Sequence, residues 1–333
     1  MTLKETVKKR CVFDLRRITL TSLMRKKHKV TRASFSRTWE KGGSLSDFLN
    51  SLPEILAAKD LKEVAERIAR AVLRKKMVLL GMGAHPIKVG LNPILIDWME
   101  KGILKGIGMN GAGLIHDVEL AMVGHTSEEV DKELSKGTFG MVRETHEVIN
   151  RAIQGGAEEG SGMGEALGRR ILEGKFPFKH LSLLAAGRSL GVPVTVHVAI
   201  GTDITHMGPS ADGAAIGKSS LKDFHTFASL VSKLEKGVFI NLGSAVIIPE
   251  VFLKALSLSR NLGYPVVNLT TVNMDFINHY RPSVNVIKRP TLTGGRGFTL
   301  IGHHEIMFPL LAAAVLEKLE DPRGRGGKGS RED

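Results

Sequence analysis

MVLLGMGAH, residues 77–85, is a short apolar run that breaks into glycines. Such a run reads as a strand covered on both faces, followed by a turn whose backbone lies open to a ligand. Upstream, SLSDFLNSLPEILAA (44–58) and DLKEVAERIARAVLRKK (60–76) carry apolar residues at three- and four-residue spacing. Both predict helices, with Ser44 and Asp60 at the N-cap positions. Downstream the alternation is regular. Strands are expected at 77–81, 105–110, 194–200, 237–242, 265–271 and 297–301. Helices are expected at 90–102, 113–123, 139–154, 161–173, 178–190, 219–236, 249–262 and 304–319. The strands are continuous apolar runs rather than alternating ones, as a parallel sheet with helices on both faces requires. The reading is one doubly wound, mainly parallel, Rossmann-like α/β domain over 44–320. A helical extension precedes its first strand.

The 333 residues are 42% hydrophobic, enough for a sizeable core, and hold no apolar run of the roughly 20 residues that span a bilayer. The beginning, MTLKETVKKRCVFDL, lacks an apolar signal core. Cys11 is the only cysteine, which excludes an internal disulfide and a multi-thiolate zinc site. A cytoplasmic protein is expected. The net charge of +13 is local, because residues 1–41 hold thirteen Lys/Arg against three acids. That basic arm (1–43) suits a polyanion or an acidic partner surface, or is simply solvated. It has no aromatic interleaving of the kind that stacks bases. Nucleic-acid binding is therefore not expected of the body. The tail 321–333, DPRGRGGKGSRED, is polar and glycine-rich and reads as disordered.

In such a sheet, ligands bind beyond the carboxyl ends of the strands. The turns expected there are GMGAHPIK (81–88), MNGAG (109–113), GTDITHMGPSADG (201–213), LGSAV (242–246), TTVNMD (270–275) and GHHE (302–305). Several are small-residue strand-to-helix turns, which let a backbone approach a phosphate closely. Neither a GxGxxG fingerprint nor a P-loop is present. No helical HxxxH or HExxH spacing occurs, and neighbouring His303 and His304 point differently, so no metal is expected. Glu305 suits the first turn of a helix. The segment 272–296 reads as a long irregular loop. Within it Lys288, flanked by Val286–Ile287 and Arg289, is either an exposed loop lysine or a nucleophile.

The strand-end turns also carry a resemblance. LGMGAHPIKVGL, MNGAGLIHDVEL, GTD and PVVNLTTVNMD resemble successive turns of the deoxyhypusine synthase family. So does an Arg281-Pro282 pair followed later by Phe308-Pro309-Leu310-Leu311. The resemblance covers about residues 45–319. It implies a homotetramer with sites shared across dimer interfaces. It also implies NAD-dependent oxidation of a polyamine, spermidine, and aminobutyl transfer through a lysine imine to a translation-factor lysine. By position, it assigns Ala84, His85, Asn110, Gly111, Ala112, His116, Asp203, Gly243, Ser244, Thr271, Gly302 and His303 to NAD. Lys288, Asp275 and His206 become the candidate catalytic residues, with Asp203 and Asp275 as anchors for a ribose or an amine. The chain departs from the family where it matters for chemistry. Pro290 stands where the family has its catalytic lysine, and Lys288 lies two residues earlier. The family's Trp and Glu ahead of that lysine are missing, GSAVIIPE replaces a Lys- and His-bearing turn, and His303 replaces an aspartate. The acidic amine cradle is thus expected to be largely lost. Alternative readings are an NAD-dependent amine transferase or dehydrogenase for another small substrate, or a non-catalytic nucleotide-binding tetramer.

Deleting residues 1–41 is expected to leave the core folded and to remove most affinity for heparin, measured by column retention and circular dichroism. An insoluble truncated protein would mean that the arm is structural.

Overall fold

A computed structural model describes residues 13–320, so the first twelve residues, Cys11 among them, and the tail 321–333 lie outside the described residues. From Phe13 to Ser44 no residue is buried. Helix α1 (Leu45–Ser51) starts where expected, with the Ser44 hydroxyl accepting from the Asp47 N–H at 3.1 Å. Helix α2 (Leu56–Leu73) does not. It opens at Leu56, a positive-φ residue, and Asp60 lies one turn inside it rather than at its cap. Asp60 and Glu63 instead grip Arg296 at 3.3 and 2.6 Å, tying α2 to the edge of the sheet.

Six parallel strands form the sheet: β1 (Val78–Met82), β2 (Gly106–Asn110), β3 (Val194–His197), β4 (Val238–Leu242), β5 (Leu269–Asp275) and β6 (Gly295–Ile301). Their order is β3-β2-β1-β4-β5-β6, the doubly wound Rossmann-like arrangement. The chain winds outward from β1 to β3, then crosses back to build β4 to β6, so the strand order reverses between β1 and β4. Alternate strand residues serve opposite layers. Val78, Leu80 and Met82 join the larger core, with α2 and α12 (His304–Glu320) on its outer side, whereas Leu79 and Phe239 face α10 (Gly213–Val231) and α11 (Ile247–Asn261). Phe239 stacks on Phe252 of α11 with ring centroids 3.8 Å apart.

One strand is displaced from its expected position. β5 starts at Leu269 rather than at Pro265, because Tyr264–Asn268 closes a turn, with Val266 and Val267 donating to Tyr264 and Pro265 carbonyls and Asn268 at φ 55°. The strand therefore runs on to Asp275. The expected loop 272–296 is correspondingly ordered: the end of β5, a π-helical stretch (Pro282–Lys288), a tight turn (Pro290–Thr293) and the start of β6. Further helices are α3 (His85–Lys88), α4 (Asn92–Glu100), α5 (Gly111–Val123), α6 (Val130–Lys136), α7 (Arg143–Glu159), α8 (Met163–Glu173) and α9 (Leu183–Leu190). The sequence pattern does not show α6, which is two turns long and buries no residue. No helix of the described residues is long and apolar enough to cross a membrane.

Two buried carboxylates bind these layers together. Asp117 of α5 accepts from the Ser182 hydroxyl (2.6 Å) and the Leu183 and Leu184 N–H groups (2.7 and 3.1 Å), satisfying the free N–H groups at the buried start of α9. Asp223 of α10 accepts from Gly164 N–H at the start of α8 (3.0 Å) and from Val196 N–H of β3 (2.9 Å). Burial pushes the two carboxyls up, to about 6 and about 7, against the pull of those donors. A raised carboxyl in the folded state favours folding fully below the unfolded value near 3.8, and that contribution is lost as pH rises through about 7. The stability of the wild type relative to Asp223→Asn is therefore expected to fall between pH 4 and 7.5, by an amount on the order of a few kcal/mol. Urea unfolding at both pH values measures it, and a pH-independent difference would show that Asp223 stays ionised.

Candidate functional site

At the reversal point the exits of β1 and β4 touch. Gly83 N–H donates to Leu242 carbonyl at 3.0 Å, Gly243 N–H to Met274 carbonyl at 2.9 Å, and Gly302 N–H to Asp275 carbonyl at 2.9 Å. The ladder thus continues one residue beyond each strand. A Cβ on Gly83 would stand 2.2 Å from the Gly243 carbonyl oxygen, so only glycine permits this approach.

Around this point the structure sorts the expected residues into two groups. The first lies over β1, β4, β5 and β6. Ala84 and His85 open α3, Gly243 and Ser244 follow β4, Gly302 follows β6, and Asp275 ends β5. Asp275 is buried, with its Oδ1 accepting from Phe276 N–H at 2.9 Å. His304 Nε2 and His279 Nε2 stand 3.8 and 3.9 Å from its two oxygens. The rings of His85 and His304 lie 5.3 Å apart, with Phe276 edge-on to both. Ser244 Oγ is taken up by capping, accepting from Ile248 N–H at 3.2 Å.

The second group surrounds the start of α5, beside β2 and β3. Asn110 caps α5 by accepting from Gly113 N–H at 2.9 Å. Gly111 has no room for a side chain, because a Cβ would stand 1.9 Å from Asp203 Oδ2. Asp203 is 9% exposed, and its buried Oδ2 has no hydrogen-bond partner among the described residues. Burial raises its carboxyl, and His206 opposes that shift. His206 Nδ1 accepts from Gly201 N–H and Asp203 N–H (3.1 and 3.3 Å), which leaves the proton on Nε2, 3.9 Å from Asp203 Oδ2.

Three expected residues fall elsewhere. Thr271 is in the middle of β5, fully buried and paired with Phe239 and Gly297, because the strand begins four residues later than the sequence pattern suggests. His303 points to solvent with its side chain 72% exposed, while His304, expected beside it on the rim, is buried against Gly243. Burial lowers the His304 pKa, against the pull of Asp275. Lys288 is exposed at the end of the π-helical stretch. The turn that follows is held by Arg260, in the last turn of α11, which donates to Pro290 carbonyl (3.2 Å) and Thr293 Oγ1 (2.8 Å). Because α11 runs from the carboxyl to the amino ends of the strands, Lys288 sits at the opposite edge of the sheet from the other site residues of the same chain.

The second group opens into a cavity of about 750 Å³. α5 supplies Ala112, Ile115, His116 and Glu119; Lys88 comes from α3; Thr202, Asp203 and Ile204 come from the loop after β3. The segment 125–145 closes the outer side with Thr126, Glu128, Val130, Phe139, Val142, Glu144 and Thr145. Glu119, Glu128, Glu144 and Asp203 face a single lysine, Lys88, across apolar walls. These acids come from α5, the 125–145 segment and the loop after β3, not from the positions where the family places its amine cradle. The 125–138 part of that segment lacks both strand and long-helix periodicity, so the sequence pattern does not show it. Its one visible signal is Gly124, Gly137 and Gly140, all at positive φ, which mark where the chain turns.

The carboxylate of Asp203 beside the start of α5 suits the hydroxyls of a nucleotide ribose, although its Oδ2 is packed against Gly111. A phosphate fits less well at that point, since a carboxylate already occupies it. Among the described residues, no three His, Cys, Asp or Glu side chains converge to hold a metal ion.

No protein-family profile matches the chain, and no curated protein matches it. Solved structures do resemble it. A candidate deoxyhypusine synthase from Entamoeba histolytica superposes with a TM-score of 0.51 at 12% identity, over 85% of this chain and 96% of the other. AgrE, in a ternary complex with ornithine and NAD+, gives 0.51 at 14% identity over 80% of this chain and 34% of its own. A conserved candidate LOR/SDH protein from Methanococcus maripaludis S2 gives 0.50 at 16% identity over 88% and 75%. The chain spans about a third of the length of AgrE. At these identities the likeness is one of fold, and it agrees with the Rossmann-like sheet.

Gly83→Ala is expected to cost roughly 1–3 kcal/mol, because the added methyl would meet the Gly243–Ser244 backbone, which has no flexible side chain to move aside. Gly90→Ala serves as the control, since its Cβ would meet nothing within 4 Å but its φ of 76° still costs some strain. Equal midpoints in urea for the two variants would refute the close contact.

Proposed function

We propose that the protein is an NAD-dependent enzyme that oxidises a small cationic amine held in the 750 Å³ cavity. The observation that carries this reading is the cavity's charge. Four carboxylates face one lysine at the carboxyl edge of a doubly wound sheet. An ammonium group gains from such surroundings, and the apolar walls accept a methylene chain. A polyamine has both features, and the deoxyhypusine synthase resemblance points to the same class. The AgrE neighbour, a complex with NAD+, supports the choice of cofactor by fold. When bound, NAD would supply a hydride acceptor. Asp203 would hold a ribose hydroxyl, and the glycine turns at Gly83 and Gly243 would leave the crevice open beside it.

The transfer half of the reaction has weaker support. An imine nucleophile must reach the substrate, and Lys288 lies at the far edge of the sheet while Lys88 lines the cavity. This favours an amine dehydrogenase over an aminobutyl transferase, unless Lys288 serves a neighbouring protomer. A homotetramer and a protein lysine acceptor belong to the proposal through the resemblance alone.

NAD at one hundred times its dissociation constant is expected to stabilise the fold by about 2.7 kcal/mol, seen as a rise in melting temperature. Asp203→Ala should shrink that rise. Melting that ignores millimolar NAD and NADH would eliminate the cofactor assignment. Formation of NADH with spermidine, or only with other amines, separates the polyamine from the remaining substrates.

A further inference from the structure

We propose that His116 is the proton acceptor of the cavity, with its tautomer set by a Glu119–Thr126–His116 relay. The claim deepens the function proposed above and rests on it for the identity of the reaction. The relay itself follows from donor counting. Thr126 Oγ1 donates to Glu119 Oε2, and Thr145 Oγ1 donates to Glu119 Oε1 at 3.1 Å. A hydroxyl has one proton, so Thr126 has spent its own on Glu119. The 2.6 Å contact between Thr126 Oγ1 and His116 Nδ1 must then be a donation from Nδ1–H. Nε2 is left with its lone pair free, and no described residue bonds it, on a ring that lines the cavity.

Glu119 has the state this scheme needs. Burial pushes its carboxyl up, but the nearby His116 ring and the hydrogen bonds from Thr126 and Thr145 outweigh burial and hold it below the usual range. It is an ionised acceptor. When His116 takes a proton at Nε2, the resulting imidazolium lies 3.8 Å from Glu119 Oε2, which offsets its charge. The other charged or titratable groups lining the cavity are Lys88, His125, Glu128, Glu144 and Asp203. Helical spacing puts positions 116 and 119 on one face of α5, and Gly124, the left-handed cap of α5, turns the chain so that Thr126 reaches both.

The chemistry balances. Oxidising a C–H/N–H unit to C=N releases one hydride and one proton. Bound NAD would supply the acceptor for the hydride and its electron pair, and His116 Nε2 would take the N–H proton. A general base of this type contributes about 10²–10⁴ in rate.

The experiment uses the full chain with ¹⁵N-labelled histidine. Two-bond ¹⁵N–¹H spectra, with the His116 signal identified by its loss in His116→Gln, are expected to show the Nδ1–H tautomer. Thr126→Val should release it to a mixture, and Thr126→Ser should retain it. In the presence of NAD and an oxidised amine, kcat should fall about 10²-fold or more in His116→Gln. It should fall less in Thr126→Val and recover in Thr126→Ser. An Nε2–H tautomer, or a spectrum indifferent to Thr126→Val, overturns the relay. An Nδ1–H tautomer with kcat unchanged in His116→Gln overturns the role as base. An intact Nδ1–H signal with no NADH from any amine overturns the oxidoreductase reading and leaves the relay standing.

Discussion

The close contact between Gly83 and the Gly243 carbonyl is the constraint on which the site depends. It lets the β1 and β4 exits share a hydrogen-bond ladder beyond their strands, with Gly83 N–H on Leu242 carbonyl. With those exits fixed, α3 leaves on one side and α11 on the other. Lys88, four residues beyond Ala84, then comes to the edge of the cavity. A side chain at position 83 would push β1 and β4 apart, and both groups of site residues would lose their common floor.

Buried carboxylates divide by whether their oxygens are satisfied. Asp117 and Asp223 each accept from several backbone or hydroxyl donors, and both fasten the starts of helices. Their work is structural. Asp203 is less hidden, at 9% exposed, and lines a large cavity while its buried Oδ2 has no partner among the described residues. An orphaned buried acceptor costs free energy in the protein alone. Glu119 forms a third case, held by two hydroxyls rather than by a helix start.

The reach of the sequence differed from element to element. Strand β1 was visible because its run is continuous and stops at glycine, and Ser44 was visible as a cap because its partner Asp47 follows three residues later. Asp60 had the same local look and was misread. Arg296, 236 residues away, claims it instead, and no local pattern reports that. The start of β5 was misplaced because Pro265–Val267 is apolar but closes on itself through local hydrogen bonds. That shift moved Thr271 from the strand end into the core.

The order of strands and helices, the glycine turns between them and the placement of charge in the N-terminal arm follow from local patterns of hydrophobicity and charge, so sequence alone determined them. Tertiary structure alone decided which strand ends meet, that Lys288 and Asp203 lie at opposite edges of the sheet, and that Glu119, Thr126 and Thr145 share one cluster. Those relations join residues that lie on separate elements, or on opposite sides of a glycine-turned loop. They are fixed by packing and hydrogen-bond satisfaction across the fold, which periodicity along the chain does not encode.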